Sequence, residues 1–194
     1  MDTKSLRRNI QKHRRNLSIT FQQNASQKAT KHLASHLLFQ QSHRIAFYVA
    51  VNGEIDPKPL LQIAQELGKM CYLPVIDPST NNRLKFIEYH PENRLVPNKY
   101  GIPEPMINEH KQIEPELLDL VITPLIAFDE EGHRVGTGAG YYDRTFAFLK
   151  ETSNTKLAGF AYEFQKINLL IPQPWDIALN MVVSEECLYA ISSI

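Results

Sequence analysis

Short apolar runs alternate along the chain with segments that have the pattern of helices. The runs are four to ten residues long and rich in β-branched and aromatic residues, which is typical of buried strands. They are RIAFYVAV (44–51), MCYLPVI (70–76), LKFIEY (84–89), DLVITPLIAF (119–128), KLAGFAY (156–162) and MVVS (181–184).

Helical patterns lie before and between these runs. Residues 3–40 predict two helices, with a break near 17–20 where hydroxyl side chains can cap the second helix. The segment DPKPLLQIAQELGK predicts another helix, with Asp56 as a cap and Gly68 at its end. Because strands and helices alternate, we expect an α/β fold with a mostly parallel sheet.

Residues 90–115 are rich in Pro, Asn and Glu and predict a long ordered loop. A loop of this length within a compact domain is often functional. We therefore expect it to contribute to a binding site.

The segment HRVGTGAGYYDRTF (133–146) has three glycines in five positions, although the chain has only 8 glycines. It follows the strand predicted over 119–128 and precedes a helix predicted over 141–151, a place where α/β proteins bind ligands. Glycine backbone amides and a helix N-terminus suit phosphate, with Arg134 and Arg144 as available cations. The GxGxG spacing matches neither the Walker nor the Rossmann motif, and a plain tight turn has the same pattern.

The composition is that of an ordinary globular protein. The chain has 194 residues, of which 43% are hydrophobic and 22% are charged. The basic N-terminus has no apolar run behind it, and no apolar stretch reaches transmembrane length. The isolated Cys71 and Cys187 predict two buried thiols in a reducing cytosol. We therefore expect one cytoplasmic domain over 1–194 that has no membrane association.

Charge is unevenly distributed, although the net charge is zero. Residues 1–53 contain nine Lys and Arg and a single acid, Asp2, whereas the remaining residues contain twelve bases and twenty acids. This distribution favours a polyanionic ligand for the N-terminal part, and a solvated helix face would produce it equally well.

Two other combinations of reactive residues give little support for a metal site or a serine hydrolase. His32 and His36 are four residues apart on a predicted helix, but no HExxH motif accompanies them, so we interpret them as structural or surface residues. Ser, His and Asp occur without a GxSxG motif, which argues against a serine hydrolase.

Five separated stretches occur in one order along the chain: KSLRR, NGEID, YGIPEP, PLIAFDEEGHRVGTGAGYYDR and WDIALNMVVSEE. Together they resemble the 5-formyltetrahydrofolate cyclo-ligase family, also called 5,10-methenyltetrahydrofolate synthetase, over nearly the whole chain. The pattern FDxxGxRxGxGxGYYDR is the specific part of the resemblance, and the other stretches are weak alone.

The resemblance implies a fold and an activity. The fold is a single-domain three-layer α/β/α sandwich with a Rossmann-like sheet, similar to phosphosugar isomerases and CoA-transferases. The activity is the ATP- and Mg2+-dependent conversion of 5-formyltetrahydrofolate to 5,10-methenyltetrahydrofolate, with release of ADP and phosphate.

The resemblance also assigns a nucleotide site. Lys4 and Arg8 match a basic pair that contacts ATP phosphates, and their spacing places both on one helix face. The catalytic residues of the family match Lys4, Arg134 and Tyr142. The ATP-binding loop of the family matches Arg134, Val135, Gly136, Thr137, Gly138, Ala139, Gly140, Tyr141 and Tyr142.

The folate site of the family matches a second group of residues. Val49, Glu54 and Tyr100 match its contacts; a carboxylate can accept two N–H bonds from a pterin, and an aromatic face suits a flat heterocycle. The side of the glycine-rich loop that faces folate in the family matches Thr137, Gly138, Ala139, Gly140 and Tyr141.

Asp143 and Asp176 match the two magnesium carboxylates of the family. Only the resemblance pairs them, and Mg2+ commonly takes one or two carboxylates together with phosphate oxygens and water. The chain departs from the family at Ala139, where members often have Gly or Lys, and at Asn180, which is often Asp. We expect these departures to affect kinetic constants more than the reaction.

Two further functional classes stay open. A regulator that senses a sugar phosphate or binds nucleic acid would use the basic N-terminal helices, but no recognition-helix pattern is clear and the net charge is zero. A phosphosugar isomerase would share the fold and need no ATP. We expect small-molecule substrates, no nucleic acid, and a monomer or weak homodimer.

Overall fold

The computed structural model describes residues 2–76, 79, 82–108, 111–150 and 154–191. Its helices are α1 (Thr3–Arg15), α2 (Ile19–Ala34), α3 (Leu37–Gln41), α4 (Lys58–Glu66) and α5 (Tyr141–Thr145). Its strands are β1 (Arg44–Ala46), β2 (Met70–Ile76), β3 (Leu84–Glu88), β4 (Leu95–Pro97), β5 (Pro103–Pro105), β6 (Gln112–Ile113), β7 (Leu120–Pro124), β8 (Ala127–Phe128), β9 (Arg134–Val135), β10 (Lys156–Phe160), β11 (Met181–Val183) and β12 (Leu188–Ala190).

A central sheet of eight strands runs through the described residues in the order β12-β11-β10-β7-β1-β2-β3-β6. The five strands from β11 to β2 in this order are parallel. At one edge β12 pairs antiparallel with β11, and at the other β3 pairs antiparallel with β2 and β6 pairs antiparallel with β3. The predicted α/β fold with a mostly parallel sheet is therefore confirmed.

Side chains of the parallel strands alternate between two apolar clusters. Ile45 and Ile122 belong to the cluster that includes Ala25, Ala29 and Leu33 of α2 and also residues of α4. The opposite cluster contains the intervening strand residues, together with Phe128, Phe146 and apolar side chains of α5. Both faces of the sheet are thus covered, as expected for parallel strands. The three-layer description and the likeness to phosphosugar isomerases and CoA-transferases stay predictions.

The N-terminal helices begin at polar caps, as the sequence indicates. The Asp2 carboxylate accepts hydrogen bonds from the Lys4 and Ser5 amides at 2.8 and 3.0 Å, at the start of α1. Ser18 accepts from the Phe21 amide at 3.2 Å, at the start of α2, so the predicted break and cap are confirmed.

Several predicted boundaries were wrong. The run 44–51 forms a strand only as far as Ala46, and the run 119–128 divides into β7 and β8. The second half of that run pairs with β9 instead of the central sheet, because the Ile126 amide donates to the Val135 carbonyl at 2.7 Å.

Three further segments also differ from the prediction. The expected loop 90–115 contains the hairpin β4–β5 and the short strand β6. The helix predicted over 141–151 ends at Thr145 and is followed by a 3-10 turn, Ala147–Lys150, while residue 151 lies outside the described residues. Strand β12 was not predicted at all. In the described parts of the chain, every helix is too short or too polar to span a bilayer.

The strand order reverses between β1 and β7. From β1 the chain continues to its neighbour β2 on one side, and from β7 it continues through β10 and β11 on the other. The carboxyl ends of strands at such a reversal leave a crevice in which α/β proteins bind ligands. The loop 47–57, which follows β1, enters this crevice.

Gly53 in this loop provides a test of how closely α1 packs against the loop. Its φ is +71°, and an added Cβ would lie 2.5 Å from the Arg14 carbonyl oxygen. Gly68 has the same φ, but an added Cβ would meet nothing within 4 Å. We expect Gly68→Ala to lower the free energy of unfolding by about 1 kcal/mol, through backbone strain alone. We expect Gly53→Ala to lower it by roughly 2–4 kcal/mol, since overpacking is added to the strain. Urea denaturation of both variants measures the difference, and equal losses would contradict the close approach.

Candidate active site

A cavity with a volume of about 420 Å³ lies where β1, β2 and β7 end. Its walls come from α1, the loop after β1, the hairpin β4–β5 and the glycine-rich loop before α5. The following residues singled out in the sequence line it: Val49, Glu54, Tyr100, Arg134, Gly136, Thr137, Ala139, Gly140, Tyr141, Tyr142 and Asp143. The other five, which are described but do not line it, are Lys4, Arg8, Val135, Gly138 and Asp176.

Glu54 is held in the cavity wall by its own loop. Asn52 and Gly53 both have positive φ, which turns the chain back so that the Glu54 amide donates to the Val51 carbonyl at 3.0 Å. The Glu54 carboxylate in turn accepts from the Val51 amide at 3.1 Å. The side chain is 8% exposed, and burial raises its pKa, while the charge of Arg14 and the Val51 amide oppose that change. Glu54 is therefore a carboxylate fixed in position and largely removed from water.

Arg14, near the end of α1, is the cationic partner of Glu54. Its Nη2 lies 3.6 Å from Glu54 Oε1, and its Nη1 donates to the Leu125 carbonyl at 3.3 Å. Its side chain is 2% exposed, and its Nε is buried without a hydrogen-bond partner in the structure. A buried arginine thus connects α1 to the loop after β1 and to the segment after β7.

The glycine-rich loop is fastened to α1 by Arg7. The Nε of Arg7 donates to the Gly136 carbonyl at 2.8 Å, and its guanidinium lies beside Gly138. Gly138 and Gly140 have φ of +109° and +66°, and Gly140 is the residue at which α5 begins. Arg144 donates to the Ala139 carbonyl from the other side. The two arginines hold a loop whose backbone only glycine adopts readily.

Lys4 and Arg8 lie on α1 with exposed side chains. Lys4, Arg8 and Gln11 have the spacing of one helix face, and Gln11 lines the cavity. The same helix also carries Arg7, which makes the contact with the glycine-rich loop. The roles predicted for Lys4 and Arg8 stay predictions.

Arg134 and Asp143 form an ion pair beside the cavity. Arg134 Nη2 lies 2.6 Å from Asp143 Oδ1, and Arg134 Nη1 donates to the Ile177 carbonyl. The Ile177 amide donates to the same Asp143 oxygen at 3.3 Å. The Arg134 side chain is 4% exposed. This arrangement joins β9, α5 and the segment that contains Asp176.

Asp176 lies in that segment, one residue before Ile177. Its carboxylate accepts from the Gln173 amide at 2.8 Å, and its amide donates to the Gln173 carbonyl at 3.0 Å, so a tight turn fixes its backbone. Among the described residues, no group of three or more acidic, His or Cys side chains could hold a metal ion. The assignment of Asp143 and Asp176 to magnesium therefore stays a prediction; two carboxylates would leave the remaining positions to phosphate oxygens and water.

Tyr100 stands at the mouth of the cavity, at the turn of the hairpin β4–β5. The side chain of Glu104 accepts from the Asn98 side chain at 2.9 Å and from the Ile76 amide at 3.2 Å, which fixes the hairpin to the end of β2. Tyr100 is 57% exposed, and its hydroxyl lies 3.4 Å from that of Tyr141. This hydrogen bond lowers the pKa of Tyr100 and raises the pKa of Tyr141.

Tyr142 is a half-buried residue of α5 that lines the cavity. Burial, followed by the charge of Glu54, raises the pKa of Tyr142, and Arg134 opposes the change. Tyr48 is buried, donates its hydroxyl to the Ile55 carbonyl, and has a pKa raised by burial and then by the charge of Glu54. Both phenols are therefore neutral hydrogen-bonding groups.

Sequence reasoning missed Arg7, Arg14, Asn98 and Glu104. Each is a polar residue among many others of its type. Arg7, Arg14 and Glu104 contact partners distant in the sequence, and Asn98 contributes by holding Glu104. Only the N-terminal excess of basic residues pointed towards the two arginines.

Comparisons with known proteins agree with one another. A model of the 5-formyltetrahydrofolate cyclo-ligase family matches residues 1–185. The 5-formyltetrahydrofolate cyclo-ligase of Escherichia coli K12 is 36% identical over 175 residues, which cover 90% of this chain and 96% of that protein. The Haemophilus influenzae enzyme of the same name is 37% identical over 174 residues, 90% of this chain and 92% of that protein.

Solved structures give the same result. The NMR structure of Aquifex aeolicus 5,10-methenyltetrahydrofolate synthetase superimposes with a TM-score of 0.84 and 31% identity, and it covers 100% of this chain and 95% of that one. The Mycoplasma pneumoniae 5,10-methenyltetrahydrofolate synthetase, at 24% identity, shares the fold with a TM-score of 0.74 over 95% of this chain and 99% of that one. By the family model, the relatives and the fold, this chain belongs to the 5-formyltetrahydrofolate cyclo-ligase family.

Proposed function

We propose that this protein converts 5-formyltetrahydrofolate to 5,10-methenyltetrahydrofolate, consuming ATP in the presence of Mg2+ and releasing ADP and phosphate. The names of the relatives support the folate reaction. One structural observation carries the proposal further. A fixed carboxylate, Glu54, and a glycine-rich loop with Arg134 line the same cavity. A heterocycle with N–H donors and a polyphosphate can therefore meet there.

Glu54 and Tyr100 would hold the pterin. Glu54 has the capacity to accept two N–H bonds, and its surroundings already fix its orientation. Tyr100 is exposed at the mouth and offers an aromatic face to a flat ring. Val49 lines the cavity beside them and supplies apolar contact.

The loop from Arg134 to Tyr142 would hold ATP. Its backbone amides and the start of α5 suit phosphate oxygens, and Arg134 adds a cation. Lys4, Arg8 and the neighbouring Arg7 would bring further positive charge from α1.

Asp143 and Asp176 would hold Mg2+ together with phosphate oxygens. The ion would neutralise phosphate charge during phosphoryl transfer. The turn at Gln173 and the Ile177 contacts fix the positions of these two carboxylates.

The chemistry needs positioning more than a nucleophilic side chain. The carbon of an N5-formyl amide is a poor electrophile. Transfer of the γ-phosphoryl group of ATP to the formyl oxygen releases ADP and creates a good leaving group. N10 then forms a bond to the formyl carbon and loses its proton, and phosphate departs with the former formyl oxygen. Lys4, Arg134 and Tyr142 would stabilise charge and hold the reactants in line.

We further propose that the protein works in the cytoplasm on small molecules, as a monomer or weak homodimer, and does not bind nucleic acid.

The direct test is an assay with 5-formyltetrahydrofolate and Mg-ATP. We expect the near-ultraviolet absorbance of methenyltetrahydrofolate to rise, with one phosphate released for each folate converted. No rise should occur when ATP is left out. Phosphate release without the absorbance change would show a different ATP-dependent reaction and would overturn the proposal.

Two aspartate variants test the magnesium carboxylates. We expect Asp143→Asn and Asp176→Asn each to remove most activity and to shift the remaining activity to higher Mg2+ concentration, because an amide oxygen is a weaker ligand than a carboxylate. Glu66→Gln, a change at an exposed acid on α4, is the matched control. Since Asp143 also pairs with Arg134, the Asp176 variant is the cleaner test. A native Mg2+ titration for both aspartate variants would remove them from the metal site.

A further inference from the structure

Arg14 differs from the other basic residues of α1 in its burial. Lys4, Arg8, Lys12 and Arg15 are exposed, whereas the Arg14 side chain is only 2% exposed. Burial of a guanidinium is costly unless charged and polar groups surround it. Its surroundings therefore indicate why the position is occupied by arginine.

The contacts of Arg14 converge on Glu54 but do not satisfy the whole guanidinium. One nitrogen lies 3.6 Å from the Glu54 carboxylate and another 3.3 Å from the Leu125 carbonyl, while Nε is buried without a partner in the structure. A buried donor left unpaired lowers stability. An apolar pair of similar volume is often as stable as a buried ion pair. Stability alone thus gives no reason for this arrangement.

We propose that Arg14 is a positioning residue for Glu54: it holds the carboxylate ionised and oriented towards the cavity, so that Glu54 can accept hydrogen bonds from the pterin. This inference rests on the proposed function, in which Glu54 binds folate. It adds a residue that acts on folate binding through Glu54. The proposed function gives this residue no direct contact with the substrate.

Among the surroundings of Glu54, burial works against its ionisation and two neighbouring phenols are neutral. Tyr48 and Tyr142 face it from the loop after β1 and from α5, and the charge of Glu54 raises the pKa of each. Burial raises the pKa of Glu54, and Arg14 is the first of the influences that lower it, ahead of the Val51 amide. Arg134, which pairs with Asp143, lowers the pKa of Tyr142. Removing the charge of Arg14 should therefore make Glu54 take up a proton at higher pH.

The experiment is calorimetric titration of 5-formyltetrahydrofolate into the full chain across a pH series, without ATP, so that binding is separate from turnover. Folate affinity should fall at acidic pH as Glu54 is protonated. In Arg14→Met we expect this fall to begin at higher pH than in the native protein. Arg15→Met, a change at the exposed neighbour on the same helix, should leave the profile where it is. Protonation of 5-formyltetrahydrofolate itself affects all variants equally, so it does not produce a difference between their profiles.

Two further variants separate position from charge. Glu54→Gln should bind folate weakly at every pH and lose the acid fall. Arg14→Lys keeps the positive charge but lacks the planar guanidinium with its several fixed donors. The acid-induced loss of folate affinity should therefore stay near its native pH, while the affinity at neutral pH decreases. The Lys variant also tests the inference if Arg14→Met does not fold.

The outcomes divide cleanly. A native pH profile of folate affinity in Arg14→Met would overturn the positioning role, and so would native affinity at every pH in Arg14→Lys. Weakened folate binding by Glu54→Gln would in that case still support the role of Glu54 in the folate site. Native affinity in Glu54→Gln would instead overturn the proposed role of Glu54 in the folate site.

Discussion

The buried contact between Arg14 and Glu54 joins the parts of the chain that form the cavity. Arg14 belongs to α1, Glu54 to the loop after β1, and the Leu125 carbonyl that Arg14 also contacts follows β7. The backbones of α1 and the loop after β1 also lie close together, because Gly53 packs against the Arg14 carbonyl. The strand reversal between β1 and β7 opens a crevice, and this contact places an N-terminal helix along one wall of it.

A second polar contact organises the opposite wall. Arg134 pairs with Asp143, and both contact the backbone of Ile177, so β9, α5 and the segment after residue 172 are held together. The glycine-rich loop runs between these fixed points and is tied to α1 by Arg7. The glycine-rich loop and its neighbouring cations are thus held in a fixed geometry, which is what the proposed phosphoryl transfer would require.

The sequence was most informative where local physics decides the structure. The strand over 70–76 was predicted with its observed bounds, and Ser18 caps its helix as expected, because apolar pattern and cap chemistry are local. The run 119–128 was predicted as one strand because its residues are apolar throughout, and only the pairing with β9 divides it. The burial of Arg14 depends on Glu54, forty positions later, and no local signal separates it from the exposed arginines nearby. The fold class was therefore predictable, and most of the site residues singled out in the sequence do line the cavity, whereas the ion pairs that fix them could not be predicted.

The central claim is that this cavity activates the formyl oxygen by phosphorylating it. The most direct measurement uses 5-formyltetrahydrofolate with heavy oxygen in the formyl group, a single turnover with Mg-ATP, and mass spectrometry of the released phosphate. If the oxygen is phosphorylated before N10 closes the ring, the heavy oxygen leaves in the phosphate. If it appears in water instead, ring closure precedes activation, ATP drives a different step, and the roles proposed for the glycine-rich loop and its cations are wrong.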